Sequence, residues 1–401
     1  MILAPLLCTL MLFAPDGMKI YKSKDFTIRS NASTRESKAL GKRITFYLSI
    51  FEDFYKDLGL KKKSDNRLKL RLFATHEEFE AFYKRGGGSL GSTPLAYWSP
   101  SLNSIVMYSD ERDVALKAVV FHETSHQFLS HYTSDAPKWL NEGLSEYFEG
   151  WKIEDAKSAR ESLHLYDLAM VQGALKAGHF LTPQKLISMS RSDFNNFAKQ
   201  NPKLPGYLHY ATSWSLVYYG IKTRDERDHE RLLQYFHDLR DLGPNAKFDV
   251  PDWPAFTERW KAFILDLDPS PSDALDHFLI GSGHRRNGKY SKAVKSFESA
   301  LALDPKMPGA RYWVGYCQKR LGRYDLAYKA LEQVLVDDPE DARAPYYLAR
   351  MHLGIDRRGA KSEAEKALTY AELASDLLDG KSPYYLELIA QCQIELGEFK
   401  Q

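Results

Sequence analysis

The chain has 401 residues, with 55 Lys and Arg against 53 Asp and Glu, a net charge of +2 and a pI of 8.1. That length exceeds one ordinary core and suits two or three domains of about 100 to 200 residues, and the balanced charge excludes a field strong enough to call for nucleic acid or an anionic membrane as partner. Aromatic residues make up 13% of a chain with three cysteines, which excludes a disordered protein, a disulfide framework and a Cys-based zinc knuckle, so any metal must use His and carboxylates.

Residues 1–17, "MILAPLLCTLMLFAPDG", are apolar from Ile2 to Ala14 but have no Lys or Arg ahead of that run, and Pro15 follows the only small residue suited to cleavage. The segment is too short to span a bilayer as a helix of about 20 residues. It reads as a leader that would export the protein to the periplasm or beyond, as a buried strand, or as a mis-assigned start ahead of Met18, which would leave the protein cytoplasmic. From Lys19 to Ser109 strands alternate with helices: "DFTIRSN" and "LKLRLFA" as strands, "TRESKALGKRITFYLSIFEDFYKDLG" as a long amphipathic helix, and "HEEFEAFYKR" as a short one. "GGGSLGSTP" is a flexible connection without the Lys-Ser/Thr of a phosphate loop, and "LAYWS" and "SIVMYS" form a hairpin across "PSLN". From Asp110 to about Leu267 the periodicity is helical throughout, broken at "TSDAP", "AGHFLTP", "QNPKLPG" and "LGPNAKFDVPDWP".

Residues 268–273 are a Pro/Ser/Asp linker, and beyond it the chain repeats. Gly281 and Gly315, Gly288 and Gly322, Tyr290 and Tyr324, Ala293 and Ala327, and Pro305 and Pro339 are separated by the roughly 34-residue period of the tetratricopeptide repeat. Small residues are needed where paired helices touch, and proline follows the second helix of each pair. A looser third unit begins near Ala342, and the first helix of a fourth starts at Pro383, so 274–401 reads as an all-α solenoid whose last repeat is incomplete or serves as a cap. Cys317 and Cys392 fall at equivalent positions, too far apart to bridge, and read as core thiols.

Within the helical stretch, "HETSHQ" sets His122 and His126 one turn apart, so both imidazoles share a face with Ala118, Val119, Ser125 and Leu129. A lone histidine on an apolar face is usually a hydrogen-bonded core residue. Two at this spacing can converge on a zinc ion, which in a catalytic site needs a third protein ligand and an open position. After "TSDAP" turns the chain, "KWLNEGLSEYFEG" forms a second helix able to bring Glu142 to the same point. Glu142, Glu146 and Glu149 make an i, i+4, i+7 stripe flanked by Trp139, Leu140, Leu144, Tyr147 and Phe148, and a buried carboxylate row needs cations.

The combination His122-Glu123-x-x-His126 followed by Asn141-Glu142-Gly143-Leu144-Ser145-Glu146 resembles the gluzincin branch of zinc metallopeptidases, with residues 18–267 in the arrangement of peptidase MA-like domains. The resemblance implies an α+β zincin-like domain with a mostly helical second lobe. It also implies Zn²⁺ held by His122, His126 and Glu142, Glu123 as general base, and Glu146 orienting a ligand imidazole from outside the ligand set beside Asn141. The final Glu of the second motif stands where thermolysin-type enzymes have Asp. Related enzymes keep a catalytic tyrosine on a later helix, which points to Tyr210 in "GYLHYATSWSLVYYG", with His209 as neighbour. No Gly-x-Met-x-Asn exopeptidase motif precedes the zinc helix, and "SIVMYS" reads as either the substrate-aligning edge strand or an interior strand. The expected function is a zinc-dependent endopeptidase-like hydrolase of peptide or protein substrates whose repeats dock substrate or a partner protein. The alternative is an inactive, zinc-stabilised scaffold, and neither reading involves nucleic acid or a membrane span.

Overall fold

Alternation of apolar and polar side chains opens the first of two compact units, residues 1–267 and 268–401. The computed structural model describes residues 12–13, 18–62, 67–86, 94–99, 101–109, 114–133, 135–153, 158–355, 362–377 and 383–397. Apart from Leu12 and Phe13, the apolar segment 1–17 lies outside the described residues, as does the glycine-rich connection at 87–93.

Strands β1 (Leu12–Phe13), β2 (Lys19–Lys22) and β3 (Phe26–Ser30) are followed by helix α1 (Thr34–Asp57), β4 (Leu68–Phe73), α2 (His76–Arg85), β5 (Ala96–Ser99) and β6 (Ser104–Tyr108). The sheet order is β1-β2-β3-β4-β6-β5, with β3, β4 and β6 mutually parallel and β5 antiparallel at one edge. Parallel neighbours need a crossover, and α1 supplies it between β3 and β4. Ser33 and Glu36 close a capping box at the start of α1, and its apolar stripe buries Leu40, Ile44, Tyr47, Leu48, Phe51 and Tyr55. "SIVMYS" is the interior strand β6, with both faces buried; the edge belongs to "LAYWS". Asn103, in the left-handed region at φ 45, turns the hairpin between them.

The remainder of the unit comprises α3 (Val114–Leu129), α4 (Lys138–Glu149), the strand pair β7 (Lys152–Ile153) and β8 (Ala159–Arg160), and α5 (Leu165–Lys176). Beyond these come the short helices α6 (Pro183–Ile187), α7 (Arg191–Asn195) and α8 (Phe197–Gln200), then α9 (Leu208–Lys222), α10 (Glu226–Leu242) and α11 (Trp253–Asp266). The β7–β8 pair corrects the expectation of helix throughout, because two-residue strands leave no periodicity to read. The sequence pattern likewise does not mark strand β2. Phe51 of α1 packs on Phe121 of α3 and Phe148 of α4 at ring separations of 4.9 and 4.6 Å, which fixes the rotation of both helices. On the other side of α4, a Cβ on Gly143 would lie 2.5 Å from the Ser213 carbonyl oxygen of α9. Only glycine permits that approach.

The second unit is a run of helix pairs: α12 (Ala274–Arg286) with α13 (Tyr290–Leu303), α14 (Ala310–Arg320) with α15 (Tyr324–Asp337), and α16 (Arg343–His352) with α17 (Ala364–Asp376), followed by α18 (Pro383–Glu395). Gly288 and Gly322 sit in the left-handed region at φ 67 and 72 between the helices of a pair. Gly281 faces Phe297 and Gly315 faces Leu331, so each small residue receives a large one from its partner helix. Cys317 and Cys392 are free thiols buried in separate apolar clusters. Among the described residues no helix is long and apolar enough to cross a membrane.

Candidate metal centre

Helix α3 gives Phe121 and Phe128 to the core against α1 and turns His122, Ser125 and His126 towards α4. The two helices approach through small residues, with Ser125 Oγ 2.5 Å from Ser145 Oγ. This places His122 Nε2 3.1 Å from His126 Nε2, with Glu142 Oε2 3.8 Å from the first and 3.4 Å from the second. A tetrahedral zinc with ligands at about 2.0 to 2.1 Å sets its donor atoms about 3.3 Å apart. The three donors therefore fit such an ion with little movement.

The outer ring nitrogens have their own partners. His126 Nδ1 lies 2.6 Å from Asn141 Oδ1 and 2.9 Å from Ser145 Oγ, and a proton held there leaves the Nε2 lone pair facing inward. His122 Nδ1 lies 2.8 Å from Glu149 Oε2, a close charge contact whose direction is poor for a hydrogen bond. Burial alone would lower the His122 pKa, but Glu142 and Glu149 override it and hold it well above the usual value. Burial would likewise raise Glu142, yet the neighbouring His126 and His122, with Lys138, hold it well below the usual carboxylate range. In the absence of a metal, the cluster is electrostatically a set of carboxylates demanding positive charge, which is what a divalent cation provides.

Glu123 is turned out of the donor set. Its Oε2 accepts the Trp98 backbone N–H of edge strand β5 at 2.8 Å, and it lines the same cleft of about 640 Å³ as the histidines and Glu142. Tyr97, Trp98, Lys138, Arg191, Tyr207 and Tyr210 complete much of its wall. Lys138 Nζ donates to Glu142 Oε1 at 2.8 Å. Tyr210 thus lies in the cleft, and burial, followed by Glu142 and Glu146, pushes its phenol above the usual range. His209 does not join it: the ring is stacked on Phe197 at 4.4 Å beside Phe194, and burial depresses its pKa to about 4. Tyr218 stacks on Trp214, and Tyr219 donates to Asp228 at 2.6 Å, so both pack the helical lobe.

At the wall of the cleft, Glu146 Oε2 lies 3.6 Å from His164 Nε2, and His164 Nδ1 sits 3.2 Å from Asp167 Oδ2. Burial would lower His164, but Asp167 first, then Glu146 and Glu149, raise it to about 9. Glu146 is driven well above the carboxylate range by burial and by repulsion from Asp167 and Glu149. Outside the donor set, the carboxylate that contacts one of its imidazoles is Glu149, one turn beyond Glu146. Its place in the i, i+4, i+7 stripe was a legible signal. His164 and Asp167, at the start of α5, and the Trp98 amide of β5 are not, because they reach the site from elements other than α3 and α4.

A family model described as "Protein of unknown function (DUF1570)" matches residues 116–241, a span that holds the whole donor set, Glu123 and Tyr210. A second model, "Tetratricopeptide repeat", matches residues 284–357. The C-terminal helix pairs are tetratricopeptide repeats. Among solved structures the chain is similar to the type III secretion translocator chaperone SycD of Yersinia enterocolitica, at 24% identity over 31% of this chain and 89% of that one, with a TM-score of 0.26. It is also similar to a structure titled "MamA RS-1 ArsTM double mutant", at 23% identity over 42% and 83%, with a TM-score of 0.27. Likenesses at these TM-scores carry no argument about function. No curated protein matches. The tetratricopeptide repeats are thus a protein-interaction module, and the unit before them is helical with a small sheet.

Proposed function

We propose that the first unit is a zinc-dependent endopeptidase of the gluzincin kind. The observation that carries the reading is the inward convergence of His122 Nε2, His126 Nε2 and Glu142 Oε2 within 3.1 to 3.8 Å, with Glu123 in the same cleft but outside the donor set. A purely structural site has no use for an open cleft. His122, His126 and Glu142 would hold zinc, which when bound would supply Lewis acidity towards a water and a peptide carbonyl. Glu123, with one carboxylate oxygen held by the Trp98 N–H, would accept a proton in the cleft at its other oxygen. Tyr210, kept protonated by its raised pKa, donates to the oxygen on which negative charge develops. Asn141 and Glu149 hold the two imidazoles in register. Edge strand β5 supports an extended substrate chain along the cleft, and the repeats dock a protein substrate or partner.

The test is metal content by mass spectrometry of chain purified without chelator, together with cleavage of an unfolded protein before and after chelation. One zinc per chain, lost in His126→Ala, and cleavage that returns on adding zinc back are expected. Chain that carries no metal and takes none up would refute the reading. Bound zinc without cleavage would leave the inactive scaffold, in which Glu123 serves only to anchor β5.

A further inference from the structure

The charged side chains on the wall of the cleft have partners, with one exception. Of its carboxylates, Glu123 accepts the Trp98 N–H, Glu142 meets Lys138, His122 and His126, and Glu146 meets His164. Of its two Lys or Arg residues, Lys138 donates to Glu142 Oε1 at 2.8 Å. Arg191 is the exception. It lines the same cleft, its side chain is exposed, and it makes no hydrogen bond, ion pair or ring contact among the described residues.

An exposed arginine on an outer face is ordinary, and two features set this one apart. The first is that its short helix, α7, is held in place beside the site. Phe194 of α7 is buried, with its ring 4.5 Å from that of His209 and 5.3 Å from that of Tyr210. The second is that the acid closest to Arg191 in sequence is already engaged. Asp193 closes a capping box with Ser190, and its other oxygen accepts from Gln200 Nε2 at 3.1 Å. The helix therefore brings a cation to the cleft and keeps its own carboxylate for its N-terminus.

We propose that Arg191 receives a carboxylate of the peptide bound in the cleft, so that the site selects chains with an acidic side chain or a free C-terminus near the metal. The inference rests on the peptidase reading for the substrate class. A guanidinium presents N–H donors in a planar fork that meets a carboxylate through two parallel bonds, whereas a neutral amide in that place offers a single acceptor oxygen. A basic side chain has less to meet, because Glu123, Glu142 and Glu146 each have a partner already. One cation beside three carboxylates suits a single negative charge. A polyanion such as nucleic acid would also face those carboxylates and be repelled.

Binding is measured by fluorescence anisotropy on the full Glu123→Gln chain with added zinc, which should leave peptides uncut. The probes are labelled Ala/Leu hexapeptides of three kinds: amidated with Asp walked through the internal positions, amidated with Asn in its place, and free of acidic side chains with an open C-terminus. One Asp peptide or the open C-terminus should bind about 5-fold or more tighter than the Asn peptides, which names the source of the carboxylate. Arg191→Gln in the same chain should bring that ratio to about 1, and Arg191→Glu should turn it in favour of a Lys peptide. Circular dichroism melts of both variants separate lost binding from lost folding. No binding of the carboxylate peptides, equal binding of all three kinds, or a preference that survives Arg191→Gln would each overturn the inference. Cleavage by the wild-type chain is read separately. A preference in binding without cleavage would keep the Arg191 site and remove the peptidase reading, and cleavage without any preference would do the reverse.

Discussion

Both units pack helices in pairs, but they place polarity on opposite sides of the contact. Between α3 and α4 the interface is polar: His122, Ser125 and His126 meet Asn141, Glu142, Ser145 and Glu149, with His122 and Glu142 9% and 5% exposed. Between α12 and α13, or α14 and α15, the contact is apolar, Gly281 on Phe297 and Gly315 on Leu331. Buried polar groups are costly unless each has its partner, so the first arrangement persists only as a complete set. The second is local, apolar and repeated, and tolerates variation one contact at a time.

That difference sets the order of expected effects. The largest is Glu123→Gln: it should retain zinc and melting temperature, because Glu123 is outside the donor set, while hydrolysis of an unfolded protein falls by about 10² to 10⁴ at equal zinc occupancy. Equal rates would break the functional half of the comparison. Next comes Gly143→Ala, whose Cβ would meet backbone, the Ser213 carbonyl at 2.5 Å; it should cost about 3 kcal/mol in urea unfolding. Glu149→Gln and Asn141→Leu should each weaken zinc affinity about 10- to 100-fold in a chelator competition, since each removes the partner of one imidazole.

Gly315→Ala should be gentler, about 1 kcal/mol, because its Cβ would meet the Leu331 side chain at 2.7 Å, and a side chain can shift where a backbone carbonyl cannot. A Gly315→Ala loss as large as that of Gly143→Ala would erase the distinction drawn between the units.

The effects spread most gradually over conditions are in pH. His209, at about 4 in the fold against 6.5 unfolded, binds fewer protons folded than unfolded between those values. Stability should therefore fall as pH drops from 6.5 towards 4, by at most about 1.4 kcal/mol per pH unit. His164, raised to about 9, has the opposite sign: its contribution is present below 6.5 and is lost as pH rises through 9. Thermal melts across pH should show both arms, with His209→Phe flattening the acid arm and His164→Gln the alkaline one.

The sequence by itself determined everything that repeats or turns within one or two helical turns. The tetratricopeptide period with its small residues, the long helix α1 and the one-turn spacing of His122 and His126 are all legible in the local pattern, because side-chain direction along a helix follows from its 3.6-residue turn. The tertiary structure alone decided which strand is the edge, since "LAYWS" and "SIVMYS" are both short and apolar and only pairing with β4 makes β6 interior. It alone showed that Glu149 rather than Glu146 contacts His122, and that His164 and Asp167 close the network behind them. It also separated Tyr210 in the cleft from His209, one residue away in sequence and about 100° around the helix, stacked on Phe197. Such contacts join elements far apart in the chain, and their geometry depends on how whole helices rotate against one another, which no local pattern encodes.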